Sequence, residues 1–123
     1  MQHLSVLLFI FAYILMVHGK FKVEPQNQTV LVGETAQFNC SWFPSKHPQV
    51  VQWKVSNGQL IGDHGPGLLP GYGRRYYYVS GNTEERNLRI TNVQSTDDGK
   101  FECQMQRKDV GMARAAAFLH VLG

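Results

Sequence analysis

Two cysteines and one tryptophan constrain this chain more than anything else in it. Cys40 is followed thirteen residues later by Trp53, and Cys103 closes the run Asp97-Asp98-Gly99-Lys100-Phe101-Glu102-Cys103. Apolar and polar residues alternate around each of the three, which is the period of a half-buried strand. Alternation points Phe38 and Cys40 to one side of their strand, Val51, Trp53 and Val55 to one side of theirs, and Phe101, Cys103 and Met105 to one side of a third. Inward cysteines on two facing sheets can cross-link the layers, with the indole packed against the bridge. A core filled in this way has no chemistry of its own and leaves only its surfaces to act.

The early cysteine, the tryptophan and the Asp-x-Gly-x-aromatic-x-Cys corner predict an all-β, immunoglobulin-like two-sheet sandwich. Its form is I-type or compact variable-type, without an extra hairpin. Cys40 and Cys103 are the only cysteines. In an exported chain they make one disulfide, Cys40–Cys103, and no other pairing is available. Closing so long a loop stabilises the fold by roughly 4 kcal/mol in the chain-entropy account.

Export is itself an expectation from residues 1–19. A short polar start leads into a nearly unbroken apolar run over residues 4–17, and Val17-His18-Gly19 offers small residues where a signal peptidase cuts. The run is shorter than the ~20 residues a membrane span needs. Residues 1–19 therefore read as a secretory leader and residues 20–123 as one immunoglobulin-like domain. No second apolar run, prenylation box or lipid-anchor signal follows, so no membrane insertion by this chain is expected. The product is expected to be secreted, or to lie on the extracellular face of the plasma membrane as one piece of a longer receptor. The net charge is +3, with basic residues scattered and only Arg74-Arg75 and Arg107-Lys108 adjacent. Such a pattern in an exported protein gives no reason to expect a nucleic-acid partner.

Strands are expected over residues 29–32 as an edge, 35–40, 50–55, a short one at 59–61, then 76–79, 87–90, 100–106 and 113–122. Pro44 and Pro48 bound a loop, and Gly81-Asn82 opens a turn. Residues 62–75 hold five glycines and two prolines and read as one loop. The strands at 50–55, 100–106 and 113–122, with the short one at 59–61, are expected to form one sheet and the remaining long strands the other. Residues 76–79 read as an edge strand, and Val93 as a plug at the bottom of the core.

Several motifs bear on function. The aromatic two residues before the second cysteine commonly carries a hydroxyl that bonds back to the chain. Here it is Phe101, so packing alone must hold that corner. Asp97 is placed to pair with Arg74 or Arg75 across the sandwich; the alternative is solvated charges worth under ~1 kcal/mol. Asn27-Gln28-Thr29 is a glycosylation sequon on an exposed early strand. Asn39-Cys40-Ser41 has the same pattern, but the inward, bridged cysteine makes it a poor acceptor. His47, His64 and His120 fall on two loops and a last-strand face, and no short-spaced Cys/His set accompanies them. Neither a metal site, a cofactor nor a catalytic set is expected.

The outward side of the Trp53 sheet is the distinctive surface. It presents Gln52 and Lys54, then Glu102, Gln104 and Gln106, then Ala116, Phe118 and His120. Long neutral glutamines and an outward phenylalanine among alanines give a flat, charge-poor face, the character of an interface centre rather than of a solvated sheet. An ordinary polar face with one exposed apolar residue is the plainer alternative.

Local sequence also resembles the first domain of the Kirre/roughest (irregular chiasm, Kin-of-irre; nephrin-related) cell adhesion receptors. The similar stretches are Glu24-Pro25-Gln26-Asn27-Gln28-Thr29-Val30 with Val32-Gly33, Val51-Gln52-Trp53, Leu69-Pro70-Gly71-Tyr72-Gly73-Arg74, Phe101-Glu102-Cys103-Gln104, and the closing run from Arg114 to Leu122. The resemblance implies cell–cell recognition through the Trp-bearing sheet. The partner would be another immunoglobulin-superfamily ectodomain, either a second copy or a nephrin-type protein. Gln52 would stand at the centre of the interface, with Gln104 and the Leu60-Ile61 strand around it. The synapse is one setting in which the family serves recognition. A soluble antagonist or ligand of a membrane receptor is the second reading and a passive spacer the third. The partner-binding residues expected are Gln52, Lys54, Leu60, Ile61, Gln104, Gln106 and Phe118.

Overall fold

A computed structural model describes residues 21–62, 67–79, 83–109 and 111–123. The leader expected over residues 1–19, His64 and the Gly81-Asn82 turn lie outside the described residues. The strands in chain order are β1 (Phe21–Val23), β2 (Gln28–Leu31), β3 (Ala36–Phe38), β4 (Ser41–Trp42), β5 (Gln49–Lys54), β6 (Leu60–Ile61), β7 (Gly67–Leu68), β8 (Tyr76–Val79), β9 (Asn87–Ile90), β10 (Gly99–Arg107) and β11 (Gly111–Leu122). One 3-10 turn, Ser95–Asp97, precedes β10.

Two main layers result. One sheet runs β2-β11-β10-β5-β6, the other β3-β9-β8-β7, and β1 pairs with β4 beside them. The long strands of the first sheet are the expected ones. The first expected strand, over residues 29–32, is corrected: it belongs to the Trp53 sheet, where β2 runs parallel to β11. Pro25 supplies the reason. It has no N–H for a ladder, so pairing stops after Val23 and the chain crosses from beside β4 to the edge of the other sheet. The loop expected over residues 62–75 is also corrected. It contains β7, whose Gly67 and Leu68 pair with Tyr78 and Tyr77. Thus β8 lies between β9 and β7 instead of at an edge.

The core sits where the layers face. Cys40 and Cys103 are bonded with Cα atoms 6.5 Å apart. Phe38 stacks on Phe101 at 5.0 Å between ring centroids and leans on Trp53 at 6.1 Å. The Trp53 indole N–H donates to the Arg86 carbonyl at 2.7 Å, so the largest buried side chain near the bridge keeps its polar atom satisfied. Inward alternation runs through Val51, Trp53 and Val55 on or beside β5 and through Ala113, Ala115, Ala117 and Leu119 on β11. Val93 is fully buried at the expected end of the core.

Gln28 closes one open side. Its inward side chain crosses to β3, where Gln37 N–H donates to its Oε1 at 3.1 Å and its Nε2 donates to the Gln37 carbonyl. The amide thus imitates one rung of a ladder and covers the free edge of β3.

Asp97 closes the bottom. Of the two arginines weighed, Arg75 makes the pair, with Nη1 donating to Oδ2 at 2.6 Å and Nη2 to Oδ1 at 3.1 Å. Arg74 instead occupies a left-handed backbone position, φ 62°. Tyr76 Oη donates to Asp97 Oδ1 at 2.6 Å and the Gln94 N–H donates to Oδ2 at 2.7 Å. The hydroxyl missing from Phe101 is in effect supplied by Tyr76 from the facing sheet. Gly99 of the same corner has φ 135°, and a Cβ there would meet the Ser56 Cβ at 3.1 Å, so both backbone and space require glycine.

Burial is the largest influence on the Asp97 carboxyl and opposes ionisation. The bonds from Arg75, Tyr76 and the Gln94 N–H outweigh it and hold the group below its ordinary value. A depressed folded value gives stability that is complete above the unfolded carboxyl value near ~4 and is lost as pH falls through the folded value. Asp97→Asn is expected to destabilise the domain by about 2–4 kcal/mol at pH 7. The gap from wild type should narrow steadily below about pH 4 in urea melts taken across pH. A gap that stays constant with pH would contradict an ionised Asp97 as the anchor.

Candidate functional site

The register of the five-stranded sheet turns its outward face into a set of rows. Leu60, Lys54, Glu102 and Ala116 lie side by side across β6, β5, β10 and β11. Gln52, Gln104 and Arg114 form the next row, and Val50, Gln106 and Met112 the one beyond. On the other side of the Glu102 row, Lys100 stands beside Phe118.

Hydrogen bonds run through the centre of this grid. Gln52 Nε2 donates to Gln104 Oε1 at 2.7 Å, Gln104 Nε2 donates to Glu102 Oε1 at 2.6 Å, and Lys100 Nζ is 3.8 Å from Glu102 Oε2. Each amide orients the next, so the donors and acceptors of the face are set before anything binds. Gln104 is only 7 % exposed although it points outward, because Gln52, Glu102 and their neighbours cover it. It therefore supports the face from beneath. Gln52 is half-buried and remains accessible beside it.

Apolar side chains ring this amide centre. Val50 is 54 % exposed, Leu60 52 % and Phe118 55 %, with Met112 also exposed. Lys54 and Gln106 are exposed as expected. Ile61 is corrected: it is 4 % exposed, lies opposite Trp53 in the register and faces the core, so it offers nothing to a partner. The turn before β6 sets this parity, which leaves Leu60 outward and Ile61 inward. Val50 and Met112 belong to the face but were not expected there. The alternation through Val51, Trp53 and Val55 carried the signal for Val50. Met112 was hidden by β11 beginning two residues earlier than the residue pattern indicated.

The other functional candidates are dispersed. His47 Nε2 lies 3.8 Å from Asp109 Oδ2, and His120 Nδ1 lies 3.5 Å from Asp98 Oδ2. Among the described residues no three His, Cys, Asp or Glu side chains come together in a metal-binding arrangement. Among the described residues no helix is long and apolar enough to cross a membrane. Asn27 is exposed at the start of β2, with its Oδ1 accepting the Phe118 N–H at 2.8 Å. Asn39 is exposed too, but Ser41 of its sequon is buried.

The family profile described as Immunoglobulin I-set domain matches residues 19–121. This chain belongs to the immunoglobulin I-set family. Among curated relatives, the I-set domain is 34 % identical over 121 residues to "Kin of IRRE-like protein 2" of Homo sapiens, across 97 % of this chain and 16 % of the relative. The chain thus spans about one-sixth of that relative's length. Among solved structures, the fold matches "Crystal structure of Dpr1 IG1 bound to DIP-eta IG1" with TM-score 0.67 and 21 % identity, over 84 % of this chain and 94 % of that one. It also matches "Crystal structure of Ig1 domain of mouse SynCAM 2" with TM-score 0.67 and 24 % identity, over 85 % and 98 %. Likeness at these identities establishes the fold alone.

The different burial of the two central glutamines leads to a stability contrast. Gln104→Ala removes both hydrogen bonds of a buried amide and is expected to lower stability by about 1–2 kcal/mol. Gln52→Ala, at a half-buried position, should lower it by less than ~1 kcal/mol. Urea midpoints at unchanged slope measure both, and equal losses would contradict a supporting role peculiar to Gln104.

Proposed function

We propose that this I-set domain is a cell–cell recognition module that docks another immunoglobulin-type ectodomain on the outward face of its Trp53 sheet. The observation that carries this reading is the chain of side-chain hydrogen bonds Gln52–Gln104–Glu102 crossing a face ringed by exposed Val50, Leu60 and Met112. A preordered amide centre lowers the entropy lost on docking, and surrounding apolar atoms exclude water from it. Neutral amides with exposed apolar side chains near them suit an interface core, and Lys54, Glu102 and Arg114 beside them offer charges for a partner to complement. The similarity to "Kin of IRRE-like protein 2" and the fold shared with a Dpr1 domain bound to a DIP-eta domain support the same partner class. In this reading Gln52 bonds to partner groups at the centre, Lys54 and Gln106 lie at the rim, and Leu60 and Val50 seal the sides. Export by the leader at residues 1–19 puts the domain outside the cell, either alone or within a longer receptor.

Binding of the domain to itself and to Kin-of-irre-type and nephrin-type ectodomains, measured on a biosensor, tests the reading. A dissociation constant on the order of micromolar is expected for a small, wet interface. Gln52→Arg should abolish it while leaving the melting temperature unchanged, because the guanidinium can still donate to Gln104 Oε1. Undiminished binding by that variant would remove the Gln52 face from the reading. No binding to any of these ectodomains at tens of micromolar would leave a spacer domain.

A further inference from the structure

Phe118 is the most exposed aromatic side chain on the sheet, and its backbone N–H is held by the side chain of a glycosylation acceptor. The parallel register of β2 and β11 sets Leu119 beside Gln28 and His120 beside Thr29. One step back along the same register, Asn27 stands beside Phe118. Gln28 turns inward to Gln37, so alternation gives its two neighbours, Asn27 and Thr29, the outward side. All three residues of the sequon Asn27-Gln28-Thr29 are thus accounted for: an exposed acceptor, an inward middle residue and an exposed threonine.

We infer that Asn27 carries an N-linked glycan whose first N-acetylglucosamine lies on the Phe118 ring, closing the β2 side of the face to partners. The bond from Phe118 N–H occupies Oδ1 only, at 2.8 Å, and the sugar is attached through Nδ2, so the same bond persists after modification and fixes the direction in which the glycan leaves. In the transfer, Nδ2 attacks the anomeric carbon of a polyprenyl-pyrophosphate-linked oligosaccharide. A C–N bond forms, the C–O bond to the pyrophosphate breaks, one amide proton is released, and the lipid pyrophosphate leaves. The C–H-rich face of the pyranose carries the positive edge of polarised C–H bonds, and the phenyl face is negative. Ala116 on the same strand is small and outward, which leaves the ring open from above. An exposed phenylalanine otherwise pays for its position in solvent; beneath a sugar it is covered. The bulk of the glycan then confines docking to the β5–β6 half, around Gln52 and Leu60.

The test is a thermodynamic cycle on the full chain secreted from cultured animal cells with its own leader. Thr29→Val removes the sequon with a residue of the same shape and leaves Asn27 and its bond in place, and Phe118→Ala removes the ring. Intact-mass measurement before and after glycosidase reads occupancy. The expected result is an occupied Asn27 and a melting temperature a few degrees higher for wild type than for Thr29→Val, a gap of the size one aromatic contact gives a domain this small. That gap should vanish in the Phe118→Ala background. Nuclear Overhauser contacts between the first sugar and the Phe118 ring are expected in the glycosylated protein. An unoccupied Asn27, or a glycan effect of equal size with and without the ring and no such contacts, overturns the inference. None of these readouts involves a partner, so their failure is separate from failure of the recognition reading.

Discussion

The cross-link between the layers is the constraint on which the other features depend. Cys40 and Cys103 lie 63 residues apart in the chain and join the β3–β4 segment to β10. Closing a loop of that length removes roughly 4 kcal/mol of freedom from the unfolded chain in the entropic account. In the folded state it fixes the distance at which Phe38, Trp53 and Phe101 must pack. Once β10 is held in that way, its two neighbours follow by register: β5 on one side and β11 on the other. The face that those three strands present outward is the reverse side of the best-filled part of the core. The backbone of that face is held by this packing, and Gln104 adds support from the outward side.

Polar devices at the margins complete what the bridge begins. Asp97 gathers Arg75, Tyr76 and the Gln94 N–H at the bottom of the sandwich, so that the 3-10 turn leading into β10 is tied to the start of β8 in the other layer. Gln28 places an amide where β3 has no neighbouring strand. Both are satisfied groups in covered positions, and each would be a liability if left half-paired. On the outward face the same logic appears with a different result. Gln104 is nearly buried yet satisfied, and its bonds to Gln52 and Glu102 keep the accessible amide of Gln52 in one orientation. A face built in this way is preorganised, which is what a small recognition surface needs to bind at all.

Much of this was legible in the residues because the decisive signals are local. A strand buried on one side writes its facing into a period of two, so Phe38, Val51, Trp53, Phe101, Cys103 and Met105 declared themselves inward without reference to any partner strand. Gln52, Lys54, Gln106 and Phe118 declared themselves outward by the same rule. Other features had no local signal. The residues of β2 alternate equally well in either layer, and only the halt at Pro25 and the open edge of β11 assign them. β7 is too short and too rich in glycine to be read as a strand, and exists because Tyr77 and Tyr78 offer it an edge. Ile61 and Leu60 are both apolar, so nothing in their chemistry distinguishes the inward one from the outward one.

By itself, the sequence determined the layered β architecture, the single disulfide and the inward side chains around it, among them Phe38, Val51, Trp53, Phe101 and Met105. These depend on residue type and alternation, which are properties of neighbours in the chain. The tertiary structure decided which arginine holds Asp97, that Tyr76 supplies a hydroxyl in place of the one Phe101 lacks, that Gln104 is covered while Gln52 is not, and that Asn27 stands beside Phe118. Each of these depends on strand register and on which edge meets which. Register is a cooperative outcome of the whole packed sandwich: a slip of one residue would reverse every side chain of a strand, and no short stretch of sequence can specify it alone.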